Sequence, residues 1–202
     1  MPDFQTSAMV LILVAGAAYL LGSVPFGIVM ARIFGLGDLR AIGSGNIGAT
    51  NVLRTGNKLA AFLTLILDAG KGGIAVLVAR AMIGDDAAQI AGFFAFIGHL
   101  FPVYLRFKGG KGVATFLGTL LALSFPIGVA CCATWLVTAG ISRYSSLSAL
   151  MAAAMSTVWA VVLTTGETMI LCTLLTLLVY WTHRENIARL KAGTETKIGK
   201  KG

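Results

Sequence analysis

The sequence predicts an all-α integral membrane protein of seven crossings, two of them short, with the N-terminus outside (periplasmic) and the C-terminus inside (cytoplasmic). Three observations carry that prediction. Hydrophobic residues make up 57% of the chain and charged ones 12%, with a mean hydropathy of +0.86, whereas soluble domains carry about 25% charged residues. The apolar residues fall in runs that suit the roughly 20-residue helices needed to cross a hydrocarbon core of ~30 Å. Between the runs, basic and acidic segments alternate as expected when Lys and Arg stay on the cytoplasmic side.

The first run, 8–33, has Asp3 before it and Arg32 and Arg40 towards its far side. That is the reverse of a cleavable signal, so it reads as an uncleaved span. Runs at 59–82, 88–106, 147–164 and 168–182 each fit one crossing. The stretch 113–141 is too long for one, and Ser124-Phe125-Pro126-Ile127-Gly128 interrupts it. Proline lacks a helix donor and disfavours the helical conformation in the residue before it. A single kinked crossing would put Arg143 and the basic tail from Arg184 to Lys201 outside. Two short crossings meeting near Pro126 put every basic loop inside and Asp3, Asp85, Asp86 and Glu167 outside. Arg80 alone falls on the wrong side, at a helix end from which it can snorkel. The chain, 1–202, reads as one polytopic domain with a short mobile tail at 194–202.

The net charge of +8 follows from loop bias, since no nucleic-acid-binding pattern accompanies it. Cys131, Cys132 and Cys172 lie in apolar runs without metal-ligand spacing and read as small packing residues. No metal site, cofactor or obligate protein partner is indicated.

The polar segments carry the chemistry. "GSGNIGATN", 43–51, contains three glycines, a serine, two asparagines and a threonine without one charge, with Arg40 before it and Arg54 after. Successive amides around Gly43, Gly45 and Gly48 suit an anion-binding nest. Ser44, Asn46, Thr50 and Asn51 add donors, and Arg54 a fork matched to phosphate. The other reading is a tight connector. "RFKGGKGVAT", 106–115, sets Gly109, Gly110 and Gly112 around Lys111 just before a helix, where free amides and the helix dipole favour phosphate. It lacks the P-loop pattern and equally reads as a basic hairpin turn.

Asp68 and Lys71, three apart inside a span, read as a buried pair locking a helix beneath the loops. Gly72 and Gly73 beside them let another helix approach. His99 reads as a hydrogen-bonded packing residue. His183 ends the last span one turn before Asn186; it reads as a proton acceptor or as a polar marker of membrane exit. The corner holding Arg143, Ser145 and Ser146 offers a further phosphate contact. The H-x-x-x-x-D pattern of many glycerolipid acyltransferases is absent: Tyr104 follows His99, and Ala188 follows His183, at the fifth place.

"SVPFG", "GSGNIGATNVLR", "DAGKGG", "GHLFPVYLRFKGGKGVAT", "SRYSSLSAL" and "HRENIARLKAGTE" together resemble the acyl-phosphate:glycerol-3-phosphate acyltransferase family of bacterial inner membranes, over residues 19–197. The resemblance implies transfer of a fatty acyl group from acyl phosphate to the 1-hydroxyl of glycerol 3-phosphate. The products are lysophosphatidate and phosphate, made without cofactor or metal. It implies that Ser44 and Arg54 hold or polarise phosphate and that Gly109, Gly110, Gly112 and Lys111 form a second phosphate loop. His183 and Asn186 orient glycerol 3-phosphate, with Ser44, Lys111, His183 and Asn186 as the catalytic set. Glu195 is expected to pair with the basic loops. The rival expectation from another class is a transporter for an organic phosphate, which would hold its site near the bilayer midplane.

Overall fold

The computed structural model describes residues 5–164 and 166–199. Asp3, Lys200 and Lys201, used above to argue the sidedness of the ends, lie outside the described residues. The described residues form ten α-helices and no strand. They are α1 (Ala8–Gly22), α2 (Phe26–Ile33), α3 (Ala49–Leu53), α4 (Lys58–Met82), α5 (Asp85–Leu100), α6 (Val113–Leu123), α7 (Phe125–Ser142), α8 (Ser145–Leu163), α9 (Met169–Thr182) and α10 (Arg184–Lys191). Five segments are long and apolar enough to cross a membrane: Ala8–Ile33, α4, α5 with the turn after it, α7 and α8. The helices α6 and α9 are apolar but shorter.

The first run is not one helix. It breaks at Ser23-Val24-Pro25, because Pro25 cannot donate and forces its neighbour out of the helical region. The second break falls where the sequence places it. Ser124 is extended, α7 starts with Pro126 in its first turn, and α7 folds back along α6 so that Gly128 lies against the backbone of Leu121. Two further helices lie outside the expected crossings: α3 between α2 and α4, and α10 after His183.

Local chemistry sets the helix ends. The Asn57 side chain accepts from Ala60 N at 2.9 Å and caps α4. Asp85 and Asp86 face the positive end of α5. Asp86 also accepts from Gln5 N at 3.1 Å and Thr6 N at 2.8 Å, tying the chain before α1 to that end of the bundle.

The helices pack as α1 on α5, α5 on α4, α4 on α6, α7 on α8 and α8 on α9. Small residues bring α1, α4 and α5 together through Ala18, Ala75, Ala79, Ala87, Ala91 and Ala95. At the α4–α6 contact a β-carbon on Gly72 would lie 2.8 Å from Thr115 O, and one on Gly118 would strike the backbone of Ala69. The glycines thus admit the close approach expected of 72 and 73. A larger apolar core forms around Phe96, Phe116, Leu120, Ile127 and Leu175. Large apolar side chains also face outward: Ile12 is 71% exposed and Leu177 62%. Such faces suit lipid and not water.

Candidate active site

The loop 43–51 is knotted by one asparagine. Asn51, 2% exposed, accepts from Ser44 N at 3.1 Å. Its amide donates to Leu39 O at 2.8 Å and to Asn46 O at 2.7 Å. Its hydrogen-bonding capacity therefore goes into building the loop. Gly43 has φ +54°, and a β-carbon there would lie 2.7 Å from Arg54 Nη1; the glycine lets the Arg54 side chain cross the loop. Thr50 and Ser145 hydroxyls meet at 3.1 Å, joining the loop to the start of α8.

The second loop is a hairpin laid back on the end of α5. Phe107 N donates to Pro102 O at 3.0 Å, Gly109 N to Leu100 O at 3.1 Å and Gly110 N to His99 O at 3.2 Å. Arg106 and Phe107 are both left-handed, at φ +51° and +62°, so the bonds around them hold a conformation that costs non-glycine residues energy. Gly112, at φ +79°, opens α6 against the Phe96 ring.

The third part comes from the chain after α9. His183 is 3% exposed, and its Nδ1 lies 2.8 Å from Val179 O. A carbonyl only accepts, so the proton sits on Nδ1 and Nε2 is left as an acceptor. Burial pushes this imidazole down to about 4 against the pull of Val179 O, with Lys111 adding to the push; it is neutral at pH 7. Lys111 Nζ donates to Asn186 Oδ1. Asn186 in turn donates to Glu195 Oε1 at 2.7 Å, as does the Ser146 hydroxyl at 2.7 Å, while Arg189 Nε donates to Oε2 at 2.7 Å. Burial opposes the Glu195 charge, yet these three donors outweigh it and hold the carboxyl below the usual glutamate range. Burial lowers the Lys111 ammonium, with Arg189 adding to the effect and Glu195 opposing it.

These three parts open onto one cleft of about 580 Å³. At its polar end stand Ser44, Asn46, Gly48, Thr50, Asn51, Arg54, Lys111, Gly112, Ser145, Ser146, His183 and Asn186, all of them residues singled out from the sequence. Its apolar wall comes from α4, α6 and α7 through Leu65, Leu117, Leu121, Cys132 and Trp135, with the exposed Phe62 and Leu136 at the outer edge. The acids at the cleft are already paired, Asp68 with Lys71 and Glu195 with Arg189. Arg54 and Lys58 have no carboxylate partner among the described residues, so the polar end presents uncompensated positive charge.

Gly43, Gly45, Gly109, Gly110 and Arg143 stand outside this lining and shape it from behind. Arg143 turns to the tail: its carbonyl accepts from Ile198 N at 2.7 Å and its guanidinium donates to Ile198 O at 3.3 Å. The tail, expected to be loose from 194 onward, carries the Glu195 and Ile198 bonds described here. Residues 200–202 lie outside the described residues. Sequence reasoning missed Asp68, His99, Lys58 and Thr196 as cleft residues, because nothing in a one-dimensional pattern says which helix faces converge.

Comparison with known proteins agrees over the whole fold. The family model for glycerol-3-phosphate acyltransferase matches residues 11–193. A glycerol-3-phosphate acyltransferase from Jannaschia sp. (strain CCS1) is 66% identical over 98% of each chain. One from Ruegeria pomeroyi is 63% identical over 100% of this chain and 99% of its own. The crystal structure of PlsY (YgiH), an integral membrane glycerol 3-phosphate acyltransferase, superposes in its glycerol 3-phosphate form with a TM-score of 0.87. That match has 37% identity and covers 94% of this chain and 96% of PlsY. The lysophosphatidic acid form of the same enzyme gives 0.86. Sequence similarity along nearly the full length, together with this superposition, establishes that the chain belongs to the glycerol-3-phosphate acyltransferase family of integral membrane proteins.

Proposed function

We propose that the chain moves a fatty acyl group from acyl phosphate to the 1-hydroxyl of sn-glycerol 3-phosphate, on the cytoplasmic side of the bacterial inner membrane. The observation that carries this reading is a cleft with a cationic, hydroxyl-rich end and an apolar wall, with a neutral His183 at the polar end. Each substrate pairs a phosphate with a different remainder, one a tail and one a small polyol. The apolar wall suits the tail, and Arg54, Lys111 and the loop amides suit the phosphates.

The hydroxyl oxygen of glycerol 3-phosphate attacks the acyl carbon, and the bond from that carbon to the phosphate oxygen breaks. Lys111 and the Ser44 hydroxyl oppose the charge that grows on the carbonyl oxygen; donors of this kind contribute on the order of 10²–10³ in rate. His183 Nε2 accepts a hydrogen bond from the attacking hydroxyl and aligns it. Its depressed basicity makes it a poor place to leave the proton, whereas the departing phosphate, whose second pKa is near 6 in its esters, takes it readily. The products are lysophosphatidate and hydrogen phosphate. Ser44, Lys111, His183 and Asn186 form the reacting set, and Glu195 holds Asn186 and Ser146 in register.

Seven crossings fit the helices: the broken run α1–α2, then α4, α5, α6, α7, α8 and α9. That parity brings the loops after α2, α5, α7 and α9 to one membrane face, which the shared cleft supports. Cysteine labelling at 143 and 183 tests it; a periplasmic result at either position overturns it. The activity is tested with purified protein in detergent, supplied with glycerol 3-phosphate and either acyl phosphate or acyl-CoA. Lysophosphatidate is expected from acyl phosphate alone. Ser44→Ala, Arg54→Ala and Lys111→Ala should each lose most of that turnover. Movement of labelled glycerol 3-phosphate across sealed vesicles without product would favour a transporter instead.

A further inference from the structure

Beneath the second glycine loop lies a buried polar group that this scheme leaves unused. Asp68 and Lys71 pair within α4 at 2.9 Å, their side chains 2% and 1% exposed. His99, at the end of α5 and 4% exposed, puts Nδ1 3.6 Å from the same Asp68 oxygen. His99 Nδ1 makes no hydrogen bond among the described residues, and the Asp68 oxygen it faces is taken up by Lys71. Both residues line the cleft. A buried polar atom without a hydrogen bond costs roughly 1–3 kcal/mol, which an apolar ring at 99 would avoid. Packing alone therefore does not account for a histidine here.

The same residue holds the glycine loop at two points. Its carbonyl accepts from Gly110 N at 3.2 Å. Its ring fills the place a side chain at 110 would take: a β-carbon there would land on Nε2 and lie 3.2 Å from Cε1. Gly110 rests on the imidazole, and Lys111 is the next residue. The height and tilt of that ring therefore decide where the Lys111 ammonium meets Asn186 and the cleft.

We propose that His99, seated beside Asp68, is a positioning residue for acyl transfer that sets Lys111 from below through Gly110. This rests on the acyltransferase reading and on Lys111 being part of its machinery. A residue that acts only through Lys111 should show its effect in turnover, and that effect should shrink once Lys111 is changed.

The test is a double-mutant cycle on purified protein, with acyl phosphate and glycerol 3-phosphate as substrates. His99→Phe keeps the ring bulk and removes both nitrogens. It is expected to lower kcat by about ten- to hundredfold, the scale of a misplaced catalytic group. KM for glycerol 3-phosphate should stay within about threefold of wild type, and the unfolding temperature in detergent within a few degrees. In a Lys111→Arg background the same change should cost less than about threefold. His99→Gln runs through the same cycle and decides the matter if His99→Phe does not fold. A kcat within twofold of wild type, or equal losses in both backgrounds, overturns the proposal. A wild-type protein that makes no lysophosphatidate overturns the acyltransferase reading instead, so the two failures are distinct.

Discussion

Two proline breaks interrupt apolar helices in this protein, and a cation from α4 answers each. At the first, Lys71 Nζ donates to Val24 O at 2.8 Å. At the second, Arg80 Nη1 donates to Ala122 O at 2.6 Å and Nη2 to Leu123 O at 2.8 Å. A helix interrupted in lipid frees carbonyls that no water can satisfy, and side chains from neighbouring helices must take them up. The two breaks differ in what balances the cation. Lys71 is buried against Asp68, beside the cleft. Arg80 is 34% exposed and leans on Asp85, which is 74% exposed, at the far end of the bundle. The difference teaches that an ionisable residue inside a span need not be catalytic. Here both cations complete broken backbone, and only the buried one lies close enough to the site to affect it.

The largest test of that contrast is Lys71→Met. It leaves Asp68 without its cation and Val24 O unpaired. Breaking a buried pair from one side costs about 3–5 kcal/mol, so little folded protein should be recovered by size exclusion after extraction. Normal recovery would mean that the pair does not hold the first break. Arg80→Met should be milder, about 1–2 kcal/mol, because half of its support is exposed and already discounted by solvent. Its unfolding temperature should fall while turnover stays within about threefold of wild type. If Arg80→Met destroyed turnover and Lys71→Met did not, the two breaks would have to exchange roles.

Glu195→Gln comes next. The change puts an amide where Arg189 now finds a carboxylate, a charged hydrogen bond worth about 1.5–3 kcal/mol. Activity should drop more than the unfolding temperature does. Glu195 has a lowered pKa, so its stabilising share is present above the ordinary glutamate pKa and is lost as pH falls through the folded value. The smallest change between pH 8 and 5.5 is expected at His183. Its folded pKa lies near 4 against an ordinary 6.5, so its share of stability is full above the ordinary value and fades as pH falls towards 4. An NMR titration of its ring should show no protonation between pH 8 and 5.5; a midpoint near 6.5 would contradict the buried, Val179-bound tautomer.

Much of this was legible in the sequence for a physical reason. Long apolar runs and glycine-rich polar loops are local properties, so the helices α4, α5, α8 and α9 and both loops could be read directly. The break at Pro126 was legible because the run was too long for one crossing. The break at Pro25 was not, since 8–33 is an acceptable length for a single tilted helix and its proline sits among apolar neighbours. Asp68 and Lys71 were read as a lock, but the carbonyl of Val24 that completes it belongs to the backbone and leaves no letter in the sequence. The apolar wall was hidden because helices that are apolar all round show no stripe pointing to their partner. Arg143 was read with Ser145 and Ser146 as one corner, whereas its left-handed backbone, at φ +61°, turns it out to meet Ile198.

The buckle at Glu195 has a consequence for biosynthesis. Among the residues around the cleft, it and Thr196 are the last to leave the ribosome. A nascent chain already threaded into the bilayer still lacks the carboxylate that gathers Ser146, Asn186 and Arg189. Chains stopped before residue 195 would carry the helices without this buckle, and their turnover is expected to fall short of that of chains that include it.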